Sequence, residues 1–249
     1  MGCPSGHITV ASSLPTTKSA QFFSSKQRRF DVSLLIETAA VTIAAILVIK
    51  VLATSAISTA GWFIAPGMLV VAALVPTAIR RNPFPAIGFS NKQIRLTLLV
   101  LCRVCIVIFP AMLMGLWLLK FCGFELPLRP VLSQNHKWVC WIFYQFMYVA
   151  VAEEVFFRGY FQSNILTLTG AIEHQQHRLQ SWISIVLSAA CFAVAHIIVQ
   201  GQIISVLTFL PGLVLGWLFI RTRSLLAPIL FHGLANTCYY MLAARLVGT

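Results

Sequence analysis

Apolar stretches of about twenty residues recur along the chain, at 33–54, 59–79, 96–119, 138–160, 182–199, 203–220 and 225–246. A helix rising ~1.5 Å per residue needs about that length to cross the hydrocarbon core of a bilayer. The apolar positions run on without the strict alternation of a membrane barrel strand, so the pattern predicts helices. Between them lie polar breaks. Pro83 and Pro85 interrupt the segment after the second stretch. "GFSNKQIR" (88–95) reads as an interfacial lead-in to the third, with Ser90 or Asn91 as its helix cap. "CGFELPLRP" (122–130) reads as an irregular connector. No repeat recurs at a fixed period. The expected fold class is all-α, a polytopic transmembrane helical bundle of about seven spans.

Composition strengthens this picture. Of 249 residues, 59% are hydrophobic and only 10% are charged, against about 25% charged in soluble domains. Mean hydropathy is +0.86. A net charge of +12 invites a nucleic-acid reading, but the basic residues are scattered between apolar segments. That placement serves orientation in a membrane, with the lipid bilayer and not nucleic acid as partner. Lys18, Lys26, Arg28 and Arg29 precede the first span; Arg80, Arg81, Lys92 and Arg95 follow the second; Arg178, Arg221 and Arg223 lie at later breaks on the same side. Among the connectors only Lys120, Arg129 and Lys137 fall on the other side, where the C-terminal Arg245 also lies. The expected N-terminus is therefore cytoplasmic, in a multi-pass protein of a bacterial inner membrane. Residues 1–31 form a basic Ser/Thr-rich tail, which as a transit peptide would place the protein in an organelle membrane instead. The start does not fit myristoylation, because Gly6 stands where Ser or Thr is required. Residues 32–130 are expected to hold the N-terminal helices and 131–249 a C-terminal helical core. The seven dispersed cysteines do not form a disulfide framework, and the lone Cys102-x-x-Cys105 reads as small apolar packing.

Ionisable groups inside spans are expensive and point to function. Six acidic residues occur in the whole chain, and two of them are the neighbours Glu153 and Glu154 within "VAEEVFFRGY". Glu154 and Arg158 stand four apart on one helix face and are expected to pair. Glu153 is turned about 100° away and has no partner in its own helix. Two other spans carry a histidine: Phe192 and His196 stand four apart, as do His232 and Asn236. Brought together, these groups suit hydrolysis. A carboxylate in a low-dielectric site is a stronger base; with His196 beside it, Glu153 can take a proton from water that attacks a peptide carbonyl. Amide and imidazole N–H groups of Asn236 and His232 can hold the developing oxyanion. Gly212 and Gly216 form a GxxxG face suited to close helix packing. His174 and His177 read as solvated loop residues, and Glu37, Lys50 and Arg103 as groups near span ends or able to snorkel.

"EEVFFR" (153–158), "FAVAH" (192–196) and "HGLAN" (232–236) resemble the EExxxR, FxxxH and HxxxN motifs of the CPBP family. These are the CAAX-protease and bacteriocin-processing membrane endopeptidases, also called the ABI family. The section 211–236, with its GxxxG and "SLLAPI", is similar to the family's last section, and the likeness covers about residues 138–240. The resemblance implies an intramembrane glutamic endopeptidase related to the Ras-converting CAAX enzyme. It further implies that Glu153 is the catalytic glutamate, His196 its partner, His232 and Asn236 the oxyanion site, and Glu154 with Arg158 a supporting ion pair. Its substrate would be a membrane-associated protein or peptide, with no cofactor required.

Two other readings use the same residues. Glu153, His196 and His232 are a two-His, one-Glu set of the kind that holds catalytic zinc, although the HExxH usual in such proteases is missing. A non-enzymatic membrane protein for binding, transport or immunity would also use a polar intramembrane cavity. By helix rise, His232 should lie roughly 10 Å from the cytoplasmic end of its span and His196 roughly 20 Å.

Overall fold

Backbone groups in lipid must bond within their own segment, and the apolar stretches do so as helices. The computed structural model describes residues 31–54, 58–80, 94–123, 138–170 and 178–247. These form α1 (Val32–Thr54), α2 (Ser58–Ile79), α3 (Ile94–Phe121), α4 (Trp138–Leu168), α5 (Arg178–Gln200), α6 (Phe209–Thr222) and α7 (Leu226–Val247). A 3-10 segment, Ile203–Thr208, leads into α6. The rods correspond one to one with the seven expected spans, and no strand occurs among the described residues. The fourth is longer than its apolar stretch and continues to Leu168. Its polar extension finds partners: Gln162 Nε2 donates to the Gly216 carbonyl at 3.1 Å, and Asn164 Nδ2 donates to Thr38 Oγ1 at 3.0 Å. The tail before Asp31, the expected caps Ser90 and Asn91, and the loop histidines His174 and His177 lie outside the described residues.

The helices turn large apolar side chains outward and bury polar groups among the apolar core. On α1 the buried positions are Leu34, Thr38, Thr42 and Ile46, spaced by four. Thr38 and Thr42 return their hydroxyls to the carbonyls of Leu34 and Thr38, each at 2.7 Å. Ile36, Ile43, Leu47 and Val51 face outward. Lipid rewards this arrangement, because large side chains gain nothing by leaving hydrocarbon while small ones let helices approach. Near the start of α1, Glu37 accepts from Arg80 Nε at 2.8 Å and from the Tyr160 hydroxyl at 3.5 Å. Glu37 thus joins α1 to the end of α2 and to α4.

Helix α4 occupies the middle. Its residues Ala152, Val155, Phe156, Phe157 and Tyr160 form one core with Phe192, Ala195, Phe219 and Ile229. The GxxxG of α6 packs closely, as expected. A Cβ on Gly212 would stand 3.2 Å from the Ala189 Cα, and one on Gly216 3.3 Å from Ile185 Cγ2. The same glycines leave their carbonyls open to α4: Arg158 Nη2 donates to Gly212 O at 3.3 Å, one helical turn from the Gln162–Gly216 bond. Between α6 and α7, Arg223 adopts the left-handed conformation and Ser224 Oγ accepts from the Leu226 N–H, so the chain reverses within a few residues. Helix α3 covers α6 and α7 through Leu101 and a stacked Phe109–Phe231 pair.

Overpacking the α5–α6 seam should therefore cost stability. Gly212→Leu is expected to lower unfolding free energy by about 1–3 kcal/mol. Ile106→Ala, on an outward position 73% exposed, should leave it nearly unchanged. Thermal unfolding in detergent measures both.

Candidate active site

Three helices each bring one part of the site together. Helix α4 is not uniform: Gln145–Ala150 and Val155–Gln162 are π-helical, flanking the α-helical turn Val151–Glu154. The wider π turns rotate the side chains on either side of the two glutamates, a feature frequent at functional sites. The i,i+4 pair survives the change of winding. Arg158 Nη1 donates to Glu154 Oε1 at 2.9 Å, with both side chains fully buried.

That carboxylate does more than pair. Glu154 Oε1 also accepts from His232 Nδ1 at 2.8 Å. Glu153 Oε2 lies 3.6 Å from the other nitrogen of the same ring, His232 Nε2. Adjacent glutamates therefore bracket one imidazole, and the one-residue offset read from sequence decides which nitrogen each faces. Glu153 Oε2 also lies 4.0 Å from His196 Nε2. Both histidines thus meet at one glutamate, although helix rise alone set them at different distances from their span ends. His196 sits near the end of α5 and His232 in the second turn of α7.

Phe192 explains the spacing of its motif. Its carbonyl accepts from His196 Nδ1 at 2.9 Å. Its ring lies 4.3 Å from the His196 ring and 5.8 Å from the His232 ring, with the Arg158 guanidinium 4.7 Å from its centroid. The phenyl face thus meets the buried cation, its ring packs against both histidine rings, and its carbonyl holds His196.

The hydrogen bonds set the tautomers. A carbonyl can only accept, so His196 carries a proton on Nδ1 and turns Nε2 toward Glu153. His232 is likewise a donor at Nδ1. Glu153 Oε2 is buried and has no hydrogen-bond partner among the described residues. The Nε2 atoms of the two rings and a carboxylate oxygen therefore converge, an arrangement suited to a water molecule. Glu153 and His196 each keep 19% side-chain exposure, whereas Glu154 and Arg158 keep none. The same three side chains composed the zinc alternative. Among the described residues, no group of three or more His, Cys, Asp or Glu side chains has the spacing to hold a metal ion.

Asn236 lies one turn beyond His232, and its Nδ2 donates to Gln145 Oε1 at 3.0 Å. Sequence reasoning passed over Gln145 and Gln162, both buried amides in membrane helices. The rule applied to ionisable groups, that a polar side chain in lipid needs a reason, would have found them. Gly233, between His232 and Asn236, is also required. A Cβ there would overlap the Phe146 ring, so only glycine lets α7 come this close to α4.

Residues 135–238 match the family model described as Rce1-like, type II CAAX prenyl endopeptidase Rce1-like. The match spans every residue of the site and bears out the resemblance carried by the three motifs. Neither the curated proteins nor the solved structures contain a match. The family supports a peptide hydrolase embedded in a membrane.

Because Glu154 serves two donors, breaking its pair from one side should be costly. Arg158→Met is expected to destabilise the protein by about 3–5 kcal/mol, and Glu154→Gln/Arg158→Met by less than that. Unfolding curves of the two variants provide the comparison.

Proposed function

We propose that this CAAX-protease relative is an intramembrane glutamic endopeptidase that hydrolyses a membrane-associated protein or peptide without a metal. The observation that carries the reading is the convergence of Glu153 Oε2 with the Nε2 atoms of His196 and His232 at 4.0 and 3.6 Å. A water between them donates one proton to Glu153 and the other to His196. Glu153 takes its proton as the water oxygen bonds to the peptide carbonyl carbon, and the carbonyl electrons move to oxygen. Asn236 and His232 hold that oxyanion. His232 does so as an imidazolium, its Nδ1–H on Glu154 and its Nε2–H on the oxyanion. The charges of Glu153, Glu154, Arg158 and His232 then cancel within the cavity, which suits a low-dielectric site. As the tetrahedral intermediate collapses, the C–N bond breaks and the amine nitrogen takes the proton from Glu153. Chemistry in which the donors are in place beforehand avoids reorganisation at the moment of reaction.

The family description points to peptides carrying a prenylated C-terminal cysteine motif. Basic residues at 18–29, 80–95, 178 and 221–223 favour a cytoplasmic N-terminus. The zinc reading of Glu153, His196 and His232 is separated by metal analysis.

Cleavage of a quenched fluorescent peptide ending in a farnesylated cysteine and three further residues tests the proposal. Glu153→Gln and His196→Ala should each lower kcat by about 10²–10⁴-fold, and activity should persist in the presence of a chelator. Full activity in both variants would sink the protease reading. Stoichiometric zinc, with activity lost to chelation and restored by zinc, would replace it with the metal mechanism.

A further inference from the structure

We infer that Gln145 is a positioning residue for the reaction, acting through Asn236. This inference rests on the proposed oxyanion role of Asn236. Helices α4 and α7 meet along three rungs. At one end Trp141 and Tyr240 pack edge to face, with ring centroids 4.5 Å apart. At the other, Glu154 holds His232 at 2.8 Å. The middle rung is an amide pair, Asn236 Nδ2 to Gln145 Oε1 at 3.0 Å. Gly233 lets the two backbones approach between these rungs, against Phe146, the neighbour of Gln145.

The amide rung settles, for Asn236, a choice that any primary amide faces. An asparagine side chain presents either a carbonyl oxygen or an NH2 group, depending on rotation about its last torsion. Facing a developing oxyanion, the NH2 end stabilises and the carbonyl end repels. Nothing within Asn236 chooses between them. The structure seats Gln145 Oε1 against Asn236, and with that amide so placed the contact selects the orientation in which Nδ2 lies on the α4 side. One of the two Nδ2 protons is used in that bond, and the second remains to donate. The carbonyl end of Asn236 is thereby turned away from the acceptor.

Gln145 is suited to this by placement as well as by chemistry. It is buried, 6% exposed, and it opens the π-helical stretch Gln145–Ala150. In hydrocarbon a buried amide without a partner is costly, so each member of the pair holds the other in place. His232 receives the same treatment one turn earlier, where Glu154 fixes its Nδ1. Both proposed oxyanion donors on α7 are thus oriented from α4, each by an acceptor-only atom.

The test uses the full-length protein in detergent with the farnesylated fluorescent peptide. Gln145→Met keeps the side-chain volume and removes the acceptor. Its kcat should fall about 10-fold, with KM within about twofold of the parent, because misorientation affects the transition state rather than substrate binding. Asn236→Ala should lose about 10²–10³-fold in kcat. Gln145→Met/Asn236→Ala should then be no slower than Asn236→Ala alone, since a residue acting only through Asn236 has nothing left to position. If methionine disturbs folding, Gln145→Ser, whose hydroxyl can bond to its own helix, should give the same pattern. The inference is overturned if Gln145→Met or Gln145→Ser keeps parental kcat while Asn236→Ala loses it. It is overturned equally if the two losses multiply in the double variant. Parental activity in both Asn236→Ala and Glu153→Gln would overturn the proposed function itself.

Discussion

The site is organised around a single carboxylate oxygen. Glu154 Oε1 accepts from Arg158 within α4 and from His232 on α7. Neither bond would be worth much at a solvated surface, but here the partners are fully or almost fully buried. In that setting an ion left alone is far more expensive than one paired. The carboxylate therefore compels α7 to present His232 to α4. Once that contact forms, Glu153, one residue earlier, is carried to the opposite edge of the same ring.

The remaining architecture makes that contact possible. Glycines appear where helices must approach: Gly212 against Ala189, Gly216 against Ile185 and Gln162, and Gly233 against Phe146. The first two also leave carbonyls that accept from Arg158 and Gln162, so close packing and polar satisfaction come from the same residues. This economy matters in lipid, where apolar surface gives no drive for helices to associate. Packing and hydrogen bonds must supply it.

Phe192 shows how an apolar residue can be part of a polar site. It touches the Arg158 cation with its ring and holds His196 Nδ1 with its carbonyl. Its motif position, four before the histidine, is what an i→i+4 side-chain-to-carbonyl bond requires. Much of the site was legible for such reasons, because the motif spacings are helical spacings. Glu154 with Arg158 followed from one helix face alone. Gln145 and Gln162 were not singled out, since a glutamine carries no charge to draw notice and its partners lie on other helices. The meeting of His196 and His232 at Glu153 was also hidden, because apolar length along one helix does not record how two helices are set against each other.

The sequence by itself determined that the chain is a helical membrane protein, where its spans fall, and which ionisable residues those spans carry. Those properties are local: hydropathy over about twenty residues and periodicity along a single helix decide them. The tertiary structure alone decided that Glu153 faces two histidines, that Glu154 holds one of them, and that Asn236 answers to Gln145. These depend on how α4, α5 and α7 slide and rotate against each other, which no single helix records. That register is set by contacts between residues far apart in the chain, Glu154 with His232 and Gly233 with Phe146 foremost.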